Sequence, residues 1–312
     1  MCLASGVSRA GFYRGWEQTS PDAAAMALRD AIQRISVQYP RYGGAKVAEL
    51  LRRSGWVVSL TRVQRVRRED NLLVVRRRKL VVTTDSGHDF LVYPNLAQRM
   101  VLTGVNQLWV ADITYLRLAS EFVYFAVVLD AYSRRALGWS VGPSLRATLP
   151  LAALNRVIAV RAPTPGLVHH SDRGIQYASE DYVSRLEQLQ IISSMSRPGR
   201  PWENARCERF MRTLKEEEID CREYGTLAEL ERNLEDFIDR FYNRVRLHAA
   251  LDYRSPVEFE QQQAAAVANP LASAAPAGLS FRRHREIYPD IANNKRKAGK
   301  RAKQPTPRRS SE

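Results

Sequence analysis

The sequence predicts an α/β fold, a mixed sheet with helices, preceded by a small basic helical module. Three observations predict it. Residues 107–142 hold three apolar, strand-like runs in close succession. Beyond residue 145, helical and strand-like runs alternate. Residues 21–72 carry helical patterns punctuated at Pro40 and Gly55. A strand meander followed by alternation gives a sheet with antiparallel and parallel pairs.

The helical module comes first. PDAAAMALRDAIQRISVQYP reads as a helix ending at Pro40, and AKVAELLRRSG as one ending at Gly55, with RYGG as the break. The next run, VVSLTRVQRVRREDNLL, offers Ser59 or Thr61 as cap, then Val63, Val66 and a basic face of Arg62, Arg65, Arg67 and Arg68. Short helices, tight breaks and an arginine-rich last helix suit a helix-turn-helix-like module that contacts DNA. A solvated arginine face is the bland alternative. RRRK, TTDSGH and YPN then read as turn-rich connection.

In the core, QLWVADITYLRL, FVYFAVVLDAY and ALGWSVG are the meander. LRATLPLAALNRVIAV reads as a helix despite Pro150, LVHH as a short strand, YASEDYVSRLEQLQ as a helix and IISSM as a strand. NARCERFMRTLKEEEI and TLAELERNLEDFIDRFYNR are the last two core helices. QQQAAAVANPLASAAPAG reads as a linker, and KRKAGKRAKQPTPRRSSE as a disordered tail. The resulting partition is 1–80 helical and basic, 81–106 connector, 107–222 core, 223–260 a closing helix and YNRVRLH segment, and 261–312 linker and tail.

Charge narrows the function classes. Of the net charge of +15, residues 1–80 supply 16 Lys/Arg against 6 Asp/Glu, and residues 281–312 supply 11 against 3. The stretch between them is nearly neutral. Basic ends attract a polyanion, most simply DNA or RNA, through phosphate contacts and counterion release. No apolar run approaches the roughly 20 residues that span a bilayer, and the start lacks a secretory pattern. Cys2, Cys207 and Cys221 form no CxxC pair, which argues for a reducing compartment and against a cysteine–zinc framework. The expected location is the cytoplasm.

Three acids stand out. Asp112 lies inside the apolar run WVADITYL, Asp172 follows LVHH, and Glu208 lies in the helix after PGRPWEN. An unpaired acid in an apolar strand is expensive to bury. If the three converge, their repulsion calls for cations, and Mg²⁺ takes oxygen ligands while keeping waters. Two such ions would suit phosphodiester chemistry; satisfied caps and surface acids are the alternative. His169 and His170 are poor joint metal ligands, because neighbours on a strand point to opposite faces. Ser133 and Ser171 lack a GxSxG context. Arg212 and Lys215 follow Glu208 at i+4 and i+7, on one helical face. They could clamp a DNA backbone, or Arg212 could simply pair with Glu208. Trp202 either packs its loop or stacks on a base.

The residues resemble a family. VSRAGFYRG, YPRYGGAKVAELLRRSG, QLWVADITYL, VVLDAYSRRALGW, HHSDRGIQYAS, SRPGRPWENARCERF, TLKEE and YNRVRLHAALDYRSPVEF are similar to stretches of IS3-family bacterial insertion-sequence transposases of the downstream-frame type. The similarity runs from about residue 2 to 260. There are 59 residues between Asp112 and Asp172 and 35 between Asp172 and Glu208, the latter being the hallmark gap of the DDE class. Where the family often has Asp, this chain has Glu203, which keeps the acid.

The resemblance implies an RNase H-like, integrase-type core that cuts and joins DNA strands at the element's ends. It implies two Mg²⁺ or Mn²⁺ ions held by Asp112, Asp172 and Glu208, with Asp112 bridging. Water and then a DNA 3′-OH would be the nucleophiles, without ATP, which agrees with the absence of a GxxxxGK[ST] loop. Arg62, Arg65, Arg68, Arg173, Arg212 and Lys215 would touch DNA. Asp130, His170, Asn204, Tyr242, Asn243, Arg246 and His248 would be structural or DNA-proximal. The partners implied are transposon-end and target DNA, further copies of the chain on that DNA, and an upstream-frame protein or frameshift fusion. A catalytically silent DNA-binding relative and a nuclease of the same fold are the rival readings.

Overall fold

The computed structural model describes residues 23–72, 74 and 92–268. VSRAGFYRG, RRRK, TTDSGH and the basic tail beyond residue 268 lie outside the described residues. The chain divides into two compact units, residues 1–261 and 262–312. Only the last turns of one helix are described in the second.

The first three helices are α1 (Ala23–Gln38), α2 (Gly44–Arg53) and α3 (Leu60–Glu69). The Ser59 side chain caps α3 by accepting from the Arg62 N–H at 3.2 Å. Leu28, Ile32, Val47, Leu51, Val63 and Val66 form a common core. Leu247, from the far end of the unit, joins it. Arg62, Arg65 and Arg68 lie exposed on the outer side of α3. Arg67 does not share that face: it is buried and donates to the Leu72 carbonyl at 2.7 Å. The helical period turns residue 67 inward beside Val63 and Val66.

The sheet has strand order β3-β2-β1-β4-β5. Its strands are β1 (Leu108–Arg117), β2 (Phe122–Asp130), β3 (Ala136–Gly142), β4 (Val168–Ser171) and β5 (Ile192–Met195). β1, β2 and β3 pair antiparallel, while β4 pairs parallel with β1 and β5. This mixed sheet is RNase H-like, as the resemblance implied. Strand β2 alternates between two cores. Val123, Phe125, Val127 and Leu129 face one, and Ala126 and Val128 face the other.

One face is covered by α4 (Thr148–Val160), a short turn α5 (Ile175–Ala178) and α6 (Glu180–Gln188). The break at Ser179 splits what reads in sequence as one helix. α4 lies very close to β3 at Gly138, where a Cβ would stand 2.5 Å from the Ala153 carbonyl. The opposite face is covered by α7 (Ala205–Glu217) and α8 (Leu227–Glu235). Thr226 caps α8 through the Glu229 N–H at 3.2 Å. α8 continues as a π-helical stretch, Asp236–Tyr242, which places Phe237, Ile238 and Tyr242 against that core.

α9 (Pro256–Ala268) closes the described chain. It runs through the first residues of the stretch expected to be linker. Glutamine and alanine are good helix formers, so low complexity here gives helix rather than coil.

Candidate active site

Strand register brings two acids level. β1 and β4 pair Leu108 with Val168, Trp109 with His169 and Val110 with His170. The ladder ends there; its offset, continued two positions, aligns Asp112 with Asp172, which lies one residue past the end of β4 and whose charge acts on Asp112. On β1, Asp112 has the parity of Leu108, Val110 and Leu116, which face α7. Glu208 sits in the first turn of that helix, half-buried.

The electrostatics agree with this convergence. Burial first, and then the Asp172 charge, push the Asp112 carboxyl well above its ordinary range. A hydrogen bond from the Ile113 N–H, at 2.9 Å, opposes the rise. Glu208 adds to it and Lys215 subtracts. Among the described residues, no three His, Cys, Asp or Glu side chains gather closely enough to ligate one ion together. The donors present are all carboxylate oxygens, the hard ligands that suit Mg²⁺, an ion that needs only one or two carboxylates beside its waters.

Each acid is held by its surroundings. Asp172 accepts from the Gly174 N–H at 3.0 Å, and a Cβ on Gly174 would stand 3.1 Å from that same oxygen. Arg173 donates through Nε to the Ser196 carbonyl at 2.9 Å. Behind Asp172, His170 is fully buried between two hydroxyls, Ser194 Oγ at Nδ1 and Ser196 Oγ at Nε2, each at 2.9 Å. Burial lowers its pKa to about 4. His169 points the other way, to Tyr182 at 3.0 Å, and burial lowers it to about 3. Both histidines are neutral packing groups on opposite faces, as strand geometry requires.

Lys215 lies two turns after Glu208 on α7. Its Nζ donates to Thr114 Oγ1 at 2.7 Å and lies 4.6 Å from the centre of the Tyr115 ring. Burial lowers its pKa, and the Asp112 charge opposes the shift. Arg212 is exposed, and no ion pair joins it to Glu208 among the described residues.

Two further residues anchor the segment that leads into α7. Asn204 donates to the Ala111 carbonyl at 2.9 Å, next to Asp112. Its own Oδ1 is buried without a partner. Glu203 has a side chain only 3% exposed. It accepts from the Arg197 N–H at 2.8 Å, from the Arg197 guanidinium and from Asn95 Nδ2 at 2.6 Å. Burial opposes its ionisation, but these donors outweigh burial and hold its pKa at about 2. Sequence reasoning noticed only that the acid at 203 is kept. The clamp escaped it because Asn95 is 108 positions away.

The remaining named residues sit apart from the acids. Asp130 is buried and organises the β2–β3 turn, accepting from the N–H groups of Asn106, Tyr132 and Ser133 at 2.7–2.9 Å. Asn243 pairs both ways with the Ala136 backbone, at 3.0 and 2.9 Å. Arg246 binds the Glu217 carboxylate through two nitrogens at 2.8 and 2.7 Å. Tyr242 meets Phe210 and His248 edge-on, and burial lowers His248 to about 2.

Residues 103–201 and 189–256 match models described as an integrase core domain, and residues 23–79 match one described as an HTH-like domain. Over 267 residues the chain is 34% identical to the insertion element IS600 uncharacterized 31 kDa protein of Shigella sonnei. That match covers 84% of this chain and 98% of that protein. Over 271 residues it is 30% identical to transposase InsF for insertion sequence IS3A of Escherichia coli K12, covering 85% and 94%. The chain belongs to the IS3-family insertion-sequence transposases. Another relative is the transposase for insertion sequence element IS904 of Lactococcus lactis, 33% identical over 222 residues, covering 71% of this chain and 88% of that one. The family's function is DNA transposition, and its enzymes are of the polynucleotidyl transferase type. Among solved structures, the HTLV-2 integrase catalytic core domain in complex with magnesium aligns with a TM-score of 0.39 at 14% identity, covering 51% of this chain and 98% of that one.

Proposed function

We propose that the chain catalyses metal-dependent cleavage and strand transfer of insertion-sequence ends, with Asp112, Asp172 and Glu208 as its catalytic acids. The observation that supports this reading is the β1–β4 offset, which continued past the ladder aligns Asp112 with Asp172, with Glu208 on the helix covering the same face. Asp112, Asp172 and Glu208 would hold two Mg²⁺ or Mn²⁺ ions. Bound there, the ions would supply an activated oxygen nucleophile and charge stabilisation for the departing 3′ oxygen.

The chain's own residues do the rest. Gly174 and the Ile113 N–H orient the Asp172 and Asp112 carboxylates. Asn204 ties the root of α7 to β1. Lys215, held by Thr114, offers a positive charge beside Asp112 for a DNA phosphate. Arg173 and Arg212 flank the acids and would contact the backbone of the same DNA. Water attacks first and breaks one phosphodiester into a DNA 3′-OH and a 5′-phosphate; that 3′-OH then attacks a phosphodiester of the target, whose own 3′ oxygen leaves, so the joining step exchanges one phosphodiester for another. Transposon-end DNA, target DNA, further copies of the chain and an upstream-frame protein are the proposed partners, at the bacterial nucleoid.

The test uses labelled transposon-end DNA with Mn²⁺. Nicked and joined products should form with the parent protein and vanish with Asp172→Asn, while DNA binding persists. Products that survive the substitution would overturn the assignment. Nicking without any joined product would indicate a nuclease of this fold.

A further inference from the structure

Trp202 lies on the 3-10 turn Pro201–Asn204 that leads into α7. Packing of its own loop would account for a tryptophan there, but its residue surface is 64% exposed. The tryptophans of the sheet behave differently: Trp109 is fully buried and Trp139 is 5% exposed. Isolated exposed apolar side chains are common on protein surfaces. What distinguishes Trp202 is its mounting.

The next two residues in the chain are fixed from below. Glu203 is clamped by Arg197 and Asn95, and Asn204 by the Ala111 carbonyl. On the other side, Gly199 takes a left-handed backbone, with φ of 67°. An exposed aromatic ring on an anchored turn loses little freedom when something stacks on it. The turn is also beside the acids. Asn204 touches the residue adjacent to Asp112, and two residues of chain span at most about 7 Å. Arg200, Arg206 and Arg209 are exposed on the same segment, so the chain on either side of the ring is basic.

We propose that Trp202 is a stacking platform for a nucleotide base unpaired from the DNA next to the acid site, and so a positioning residue for the end of the DNA. This inference rests on the DNA-processing reading above. A base presents a flat face, and stacking on an aromatic side chain is tolerant of sequence. The neighbouring arginines hold the phosphates on either side of that base. The ring itself supplies no charge, so its contribution is confined to DNA whose terminal base is free to leave the helix.

The experiment compares two probes bound by the full chain without divalent metal, so that no chemistry intervenes. One is a fully paired duplex, and the other is the same duplex carrying a short oligo-dA extension. Trp202→Ala should weaken binding to the extended probe roughly tenfold, in line with single-base stacking. Binding to the paired probe should stay within about twofold. Trp202→Phe, which keeps a ring, should recover most of the affinity. A 2-aminopurine in the extension should be quenched by the parent and by Trp202→Phe, and not by Trp202→Ala. An equal loss on both probes, or no loss on either, overturns the proposal. A melting curve matching the parent's shows that the variants fold. Failure of the catalytic reading is separate, because it appears as products surviving Asp172→Asn whatever Trp202 does.

Discussion

At the scale of single residues, the acid site is built against stability. Asp112 sits where burial and the Asp172 charge disfavour its ionised form. Its folded pKa is raised above the unfolded value of about 3.9, so the native state binds the extra proton in between. Stability therefore falls as pH climbs from the unfolded pKa through the folded one, and the penalty is constant only above the folded pKa. Asp112→Asn removes the charge and keeps an oxygen that can accept from Ile113. In metal-free buffer at neutral pH it should melt higher than the parent while losing strand cleavage. Calorimetry checks this, and a variant that melts lower would remove the repulsion argument. Of the proposed site, Asp112 could be picked out in sequence because an acid in an apolar strand is conspicuous, and Asp172 and Glu208 by the spacing that resembles the family's. The seats beneath them could not. Asn204 was named only as structural or DNA-proximal, and its bond to the Ala111 carbonyl, like that of Asn95 to Glu203, joins residues far apart in the chain, which no local pattern announces.

At the scale of elements, legibility follows the range of the interaction. β1, β2 and β3 could be read directly, because apolar runs joined by short turns determine an antiparallel meander locally. The cap at Ser59 was one of two candidates, and the structure selects it through the bond from Arg62. The π-helical stretch after α8 could not be read, because a helix period is the same on paper whether or not one turn is widened. The close seat of α4 on β3 was equally silent. Gly138→Ala should cost roughly 2–3 kcal/mol in a urea titration, as overpacking against a carbonyl does. Gly142→Ala is the control, since its Cβ would meet only Leu149 at an ordinary 3.6 Å. Equal midpoints for the two variants would show that α4 shifts without cost.

At the scale of the whole molecule, the helical module and the catalytic unit use charge differently. Arg62, Arg65 and Arg68 project from α3, where, among the described residues, only Arg65 has a carboxylate near it, Glu69 at 3.7 Å. Replacing all three by alanine should flatten the salt dependence of DNA binding, by roughly 0.9 in log–log slope for each phosphate left unneutralised. A titration of affinity against salt measures this, and an unchanged slope would place the DNA elsewhere. Some arginines of the catalytic unit are instead committed to carboxylates. Glu260 on α9 receives Arg135 at 2.7 Å, Arg161 at 2.6 Å and the Ser133 hydroxyl at 2.7 Å. One carboxylate thus gathers the β2–β3 turn and the end of α4. A protein shortened to residue 255 would keep every described strand and Asp112, Asp172 and Glu208, yet leave two half-buried guanidinium groups close together without the carboxylate they share. The shortest fragment worth expressing is therefore set by an anion near the end of the first compact unit, well past the last strand and nine positions beyond the buried Leu251.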